Sequence, residues 1–268
     1  MSPLAADPKR NRRLYTRSGD FPILAQVAKH QFVTVEMVAE DLQRNIISVR
    51  RRMLALYQAG ILNRARRDKL APFVYFLSEK GSAIAVGHGS LFEPRWIKSK
   101  SSLLIPHDLE ITMFHRALEK GLHNEGHFIG EWEQWRGALR QEVETDKGVE
   151  SLIPDGQFVI DDRAVFYLEI VKSYESEYEN GESNIEHKIF LYNEYWKASR
   201  EPFHVCFVMP TKPRVAHFLS KIEERFPYRR FWFTDEESYR AKITGGIWWT
   251  PRDFRDTTHS LLDEMSYD

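Results

Sequence analysis

Between Asn45 and Gly60 the chain reads as one short amphipathic helix that cannot stand alone. Ile46, Val49, Met53 and Leu56 recur at three- and four-residue steps and form an apolar stripe that must be covered. Asn45 is a favourable N-cap, and Gly60 occupies the position where a helix is expected to end. The preceding residues supply the cover. Phe21, Ile23, Leu24, Val27 and Ala28 share a helical period, Phe32 and Val33 break it, and Thr34 is suited to cap a second helix over Val35 to Leu42. Only Gln43, Arg44 and Asn45 separate the second helix from the third, so the spacing predicts a helix-turn-helix. With the stripe turned inward, Ser48, Arg51 and Arg52 face outward and Arg50 lies at the flank, which makes the outer face cationic.

After Gly60, Ile61 to Arg66 is expected to pair with Phe73 to Leu77 across a basic tip holding Arg66, Arg67, Asp68 and Lys69. A short helix should follow from Ser78 to Ala85. This order, over residues 20 to 86, resembles the winged-helix DNA-binding superfamily. The resemblance implies that the third helix enters the major groove of duplex DNA, with Ser48, Arg51 and Arg52 on base edges or phosphates. Arg44 and Arg50 flank that surface, and Arg66, Arg67 and Lys69 would reach phosphates from the wing. Such domains commonly read paired half-sites, so a homodimer is expected. The alternative is a winged helix that serves only as a protein-interaction scaffold.

The charge distribution agrees with a phosphate-facing first third. Residues 1 to 100 carry 18 Lys+Arg against 8 Asp+Glu, whereas residues 101 to 268 are acidic by 11 charges. Part of the excess lies in a basic arm over residues 1 to 19, with Lys9, Arg10, Arg12, Arg13 and Arg17; it is either a groove-following arm or a solubilising tail. A hydrophobic content of 42% argues against disorder. No apolar run reaches the ~18 residues of a membrane helix, and the charged N-terminus does not resemble a signal peptide. The expectation is a cytoplasmic protein with no membrane partner. With Cys206 as the only cysteine, neither a disulfide within the chain nor a paired-thiolate zinc site is available.

Residues 87 to 104 mix Gly, Ser, Pro and Lys without a period and read as a linker, with Phe92 and Trp96 as its docking residues. Beyond it, residues 105 to 268 predict an α/β (α+β) domain with a mixed sheet. A helix starts near Pro106. Strands are expected over His127 to Trp135, Ser151 to Ile160, Ala164 to Val171, His204 to Met209 and Arg230 to Phe233, with helices at Asn184 to Ala198 and Pro213 to Phe226. No glycine-rich dinucleotide or Walker sequence follows any strand, and the ten histidines lack the spacing of a helical zinc site. The pair Trp248-Trp249 is read as core or interface rather than as a base-stacking platform.

Pro154-Asp155 and, 14 residues beyond the aspartate, Glu169 within an apolar strand resemble the PD-(D/E)XK nuclease superfamily. The resemblance implies a restriction-endonuclease-like fold in which Asp155 and Glu169 hold Mg²⁺ or Mn²⁺ and a lysine stabilises developing charge. That lysine would stand two residues after Glu169, but Val171 is there; Lys172 points to the other face, and Lys188 is placed to substitute from the next helix. Taken with the winged helix, Ile105-Pro106-His107-Asp108-Leu109-Glu110, Gly130-Glu131-Trp132-Glu133 and Lys188 with Tyr192, residues 20 to 210 resemble the replication-relaxation family of plasmid and mobile-element proteins, which includes mobilisation-type relaxases. In that family's pattern a further acid follows the strand Glu by two residues. Val171 replaces it here, leaving Glu110 or Glu175 to complete a metal shell. Two function classes follow: a regulatory duplex DNA-binding protein of a plasmid, phage or mobile element with a degenerate nuclease-like domain, or a metal-dependent DNA-nicking relaxase or endonuclease.

Overall fold

The computed structural model describes residues 17–66, 70–87, 105–134, 138–172, 184–223, 225–226, 228–253 and 255–263. The arm residues Lys9, Arg10, Arg12 and Arg13, the tip residues Arg67 and Lys69, the linker residues Phe92 and Trp96, and Glu175 lie outside the described residues. The chain divides into two compact units, Met1–Thr112 and Met113–Asp268.

In the first unit, α1 (Phe21–His30), α2 (Val35–Asp41) and α3 (Ile46–Gln58) precede a hairpin of β1 (Leu62–Ala65) and β2 (Val74–Leu77), then α4 (Glu79–Gly87). Helices followed by a hairpin in this order are arranged as in a winged helix. The caps form as the sequence predicts. Met37 N–H donates to Thr34 Oγ1 at 3.3 Å, while the N–H groups of Ile47 and Ser48 donate to Asn45 Oδ1 at 3.0 and 3.3 Å. Gly60 ends α3 with φ +72°. Val33 exchanges two backbone hydrogen bonds with Tyr75, an isolated antiparallel bridge that ties the segment before α2 to the hairpin. The core of this unit draws on Val27, Val38, Val49, Met53, Leu56 and Leu62, all buried.

The expected apolar stripe of α3 is shorter than its spacing suggests. Val49, Met53 and Leu56 are buried, but Ile46 is 38% exposed, because the first residue of the helix stands at its mouth rather than over α1 and α2. Gly81, near the start of α4, permits close backbone approach: a Cβ there would lie 2.1 Å from the carbonyl oxygen of Ile61. The first eight residues of α5 (Ile105–Glu125) belong to this unit. Ile105 packs with Phe32, Val74 and Phe76, and Thr112 Oγ1 donates to the His30 carbonyl at 2.9 Å.

The second unit is built on a five-stranded sheet in the order β3-β6-β7-β8-β9. These strands are Ile129–Glu133, Gly156–Ile160, Ala164–Ile170, His204–Met209 and Phe231–Asp235. The pairings β3–β6 and β6–β7 are antiparallel, while β7–β8 and β8–β9 are parallel, with α6 (Asn184–Ser199) and α7 (Lys212–Ile222) as the crossovers. Beyond β9 comes α8 (Glu236–Lys242), capped by Asp235. The central strand β7 is covered on both faces, which explains its nearly unbroken apolar sequence. Phe166 stacks on Phe158, and Phe158 lies against Phe114 of α5 with ring centroids 5.9 Å apart. On the opposite face Tyr167 and Val171 share a core with Ile185, Ile189 and Tyr192 of α6.

One expected strand divides. Ser151 to Ile160 is split by Ile153-Pro154-Asp155: β5 (Gly148–Leu152) pairs with β4 (Gln141–Thr145) in a separate two-stranded sheet, and Gly156 begins β6 in the main sheet. Pro154, without an N–H to donate, stands at the transfer point. Trp248 is fully buried and donates from Nε1 to the Ile243 carbonyl at 3.1 Å, so it belongs to the core.

Candidate functional site

The outer surface of α3 borders a groove of about 710 Å³. Arg17, Arg44, Ile47, Ser48, Arg51 and Arg52 are among the residues that line it. The local sequence sets this arrangement. Asn45 caps α3, so Ile47 and Ser48 occupy its first turn and Arg51 the next, while Val49 and Met53 point inward. Arg44 Nη1 donates to the Gly19 carbonyl at 3.0 Å, tying the turn before α3 to the segment before α1. Arg17, Ser48 and Arg51 are exposed. Four guanidinium groups, those of Arg17, Arg44, Arg51 and Arg52, therefore share one concave surface with serine hydroxyls and an exposed branched apolar chain.

Arg52 behaves differently from its expected outward role. It forms a two-pronged ion pair with the carboxylate of Asp20, which is 1% exposed. Burial alone would raise the Asp20 pKa; the hydrogen bonds from Arg52 and from Arg17 N–H, the latter 2.7 Å, hold it below the ordinary carboxylate value. A buried carboxylate needs such a partner, and position 52, beside the stripe residue Met53, can reach it. Arg52 thus fastens α3 to the turn preceding α1. Arg50 pairs with Glu36 at 3.3 Å on the surface, where such a pair holds the side chain weakly. On the hairpin, Arg64 lies between the rings of Tyr57 and Phe73, 4.2 and 4.0 Å from their centroids, and Arg66 lies over Phe73 at 4.9 Å. Arg66 remains exposed.

The second site is a buried carboxylate pair in the second unit. Asp155 N–H donates to the Leu168 carbonyl at 3.0 Å, and Ile170 N–H donates back to Asp155 Oδ2 at 2.9 Å, which sets Asp155 beside Glu169 on the β7 edge of β6. Asp155 is 4% and Glu169 1% exposed. From α6, Lys188 forms an ion pair with Glu169 Oε2, and Tyr192 OH donates to Oε1 at 2.8 Å. Burial pushes the Glu169 pKa up to about 7 despite Lys188, and the charge of Asp155 adds to the rise. Burial also raises Tyr192 well above its ordinary value, keeping it a hydrogen-bond donor.

Asp155, Glu169 and Lys188 are therefore brought together. Lys172 pairs with Glu236 at the start of α8, at 2.7 Å. Glu110 is a residue of the first unit and Glu175 lies outside the described residues. Among the described residues no group of three or more His, Cys, Asp or Glu side chains is positioned to hold a metal ion. Both oxygens of Glu169 and one of Asp155 are engaged by donors of the protein itself, so the described residues do not fit a divalent cation, which requires several available oxygen ligands. Two features escaped sequence reasoning. Asp20 gave no sign of burial because its partner lies 32 residues away, and Ile47 was hidden by its neighbour Ile46, which takes the stripe position.

A family model described as Replication-relaxation matches residues 24–204. No curated protein matches the chain. Among solved structures, a single mutant of ZitR from Lactococcus lactis is 17% identical, with a TM-score of 0.24; the match covers 29% of this chain and 56% of that one. A double mutant of the same protein is 16% identical, with a TM-score of 0.25 and coverage of 47% and 82%. The chain thus spans little more than half the length of the first of these.

Proposed function

Since the chain belongs to the replication-relaxation family, we propose that it is a duplex DNA-binding protein of a plasmid, phage or mobile element, with a regulatory rather than a cutting role. The observation that carries this reading is the groove on α3, where Arg17, Arg44 and Arg51 surround Ile47 and Ser48. Guanidinium groups on a concave surface suit phosphate oxygens and guanine edges, and the first turns of the third helix are the part that meets bases in winged-helix recognition. Arg66 adds a phosphate contact from the hairpin. Arg52 has a structural duty in this scheme and makes no contact with DNA.

The second domain is nuclease-like in this reading. Its support is the mixed sheet with Glu169 on β7, Asp155 immediately before the antiparallel neighbour β6, and Lys188 on the following helix. The same geometry argues against cutting, because Lys188 and Tyr192 satisfy Glu169 internally. The metal-dependent nicking enzyme remains the second reading, favoured by the convergence of Asp155, Glu169 and Lys188. Gel retention of a mixed-sequence duplex by the full chain tests the binding role. Arg51→Ala should lose most retention, while Arg240→Ala, whose side chain pairs with Glu236 at 2.9 Å, should keep it. Equal retention by both variants would remove the basis for the proposal.

A further inference from the structure

Ile47 is an apolar side chain that no structural requirement explains. It is 54% exposed on the first turn of α3, whereas Val49, Met53 and Leu56 of the same helix are buried. Capping uses only its backbone N–H, which Asn45 accepts. The side chain lines the groove together with Arg17, Ser48 and Arg51. Leaving a branched hydrocarbon in water forgoes its burial energy, so a surface of this kind is useful when a partner has an apolar group to place among polar ones.

The major groove of DNA offers one such group, the 5-methyl of thymine; its other base-edge features are hydrogen-bond donors and acceptors. We infer that Ile47 is a specificity-determining residue that packs against a thymine methyl, while Arg51 takes a guanine edge or phosphate close by. Residues 47 and 51 are separated by about 6 Å along the helix axis, against about 3.4 Å per base pair, so the two contacts fall within about two base pairs of each other. The inference rests on the DNA-binding reading and adds the base that one side chain reads.

The experiment uses the full chain and a pool of randomised duplexes. Rounds of selection should enrich a motif with a fixed thymine, and replacing that thymine by deoxyuridine, which removes only the methyl, should weaken binding about fourfold, the worth of one buried methyl group. Ile47→Ala should bind the thymine and deoxyuridine duplexes equally, both near the deoxyuridine affinity of the wild type, and Ile47→Val should be intermediate. Thermal melts confirm folding, which an exposed residue should not alter. A selected motif whose binding is unaffected by deoxyuridine at every thymine, or an Ile47→Ala protein that still prefers thymine, overturns the inference and leaves DNA binding standing. Failure of any duplex to be retained, even at low salt, removes the DNA-binding reading and this inference together.

Discussion

Replacing Glu169 by Gln should change the pH dependence of folding in a direction opposite to that of most carboxylates. Glu169 is 1% exposed, and its pKa in the folded protein is about 7 against an ordinary value of 4.5. Between those values the native protein retains a proton that the unfolded chain releases. Stability from this group is therefore fully present below pH 4.5, falls as pH rises, and is lost once pH passes about 7. At about 1.4 kcal/mol per pH decade, the loss amounts to about 3 kcal/mol. Glu169→Gln keeps a neutral acceptor for Tyr192 and lets Lys188, 36% exposed, turn to solvent. Urea unfolding of both proteins from pH 5 to pH 8 measures the effect, and the difference between them cancels other titrating groups such as Asp20. The variant should gain on the wild type steadily toward pH 7. A constant difference, or a wild type that gains stability relative to the variant as pH rises, would refute the argument that burial outweighs Lys188.

Arg52→Ala should cost about 3 kcal/mol in urea unfolding because it strands the buried Asp20 carboxylate, whereas Arg51→Ala should stay within about 0.5 kcal/mol of wild type; equal stabilities would contradict the structural role of Arg52. Supercoiled DNA incubated with the protein and Mg²⁺ or Mn²⁺ should remain intact, and chelator-sensitive nicking abolished by Glu169→Ala would establish the enzyme reading instead. Sedimentation with a selected duplex should show two protein chains per DNA if paired half-sites are read; a single chain at all concentrations would argue against a dimer.

The helix-turn-helix was legible because its signals are local: Thr34 and Asn45 cap, Gly60 terminates, and Val49, Met53 and Leu56 repeat at helical spacing. The strand His204–Met209 was legible because the five-residue apolar run Val205 to Met209 has few other uses. The hairpin of β4 and β5 was harder to see, since Gln141 to Thr145 is mostly polar and its ladder joins only β5 within a sheet. At the candidate sites, Lys188 was pointed to by the resemblance to the nuclease superfamily, and helical spacing adds only that Tyr192, one turn on, shares its face of α6. The identity of the structural arginine was not legible. Arg51 and Arg52 are indistinguishable as letters and both line the groove; only the position of Asp20 makes the second a fastener.

The dependence of duplex binding on salt tests most directly whether the α3 groove is a phosphate-facing surface. Equilibrium binding of a fixed duplex, measured over a salt series for wild type and for a protein with Arg44→Ala and Arg51→Ala combined, gives two slopes of log affinity against log salt. If both arginines meet phosphates, the double variant should bind more weakly and its slope should be shallower by about 1.8, at about 0.9 for each phosphate no longer neutralised. Identical slopes and affinities, with both proteins folded, would contradict the assignment of DNA binding to this groove.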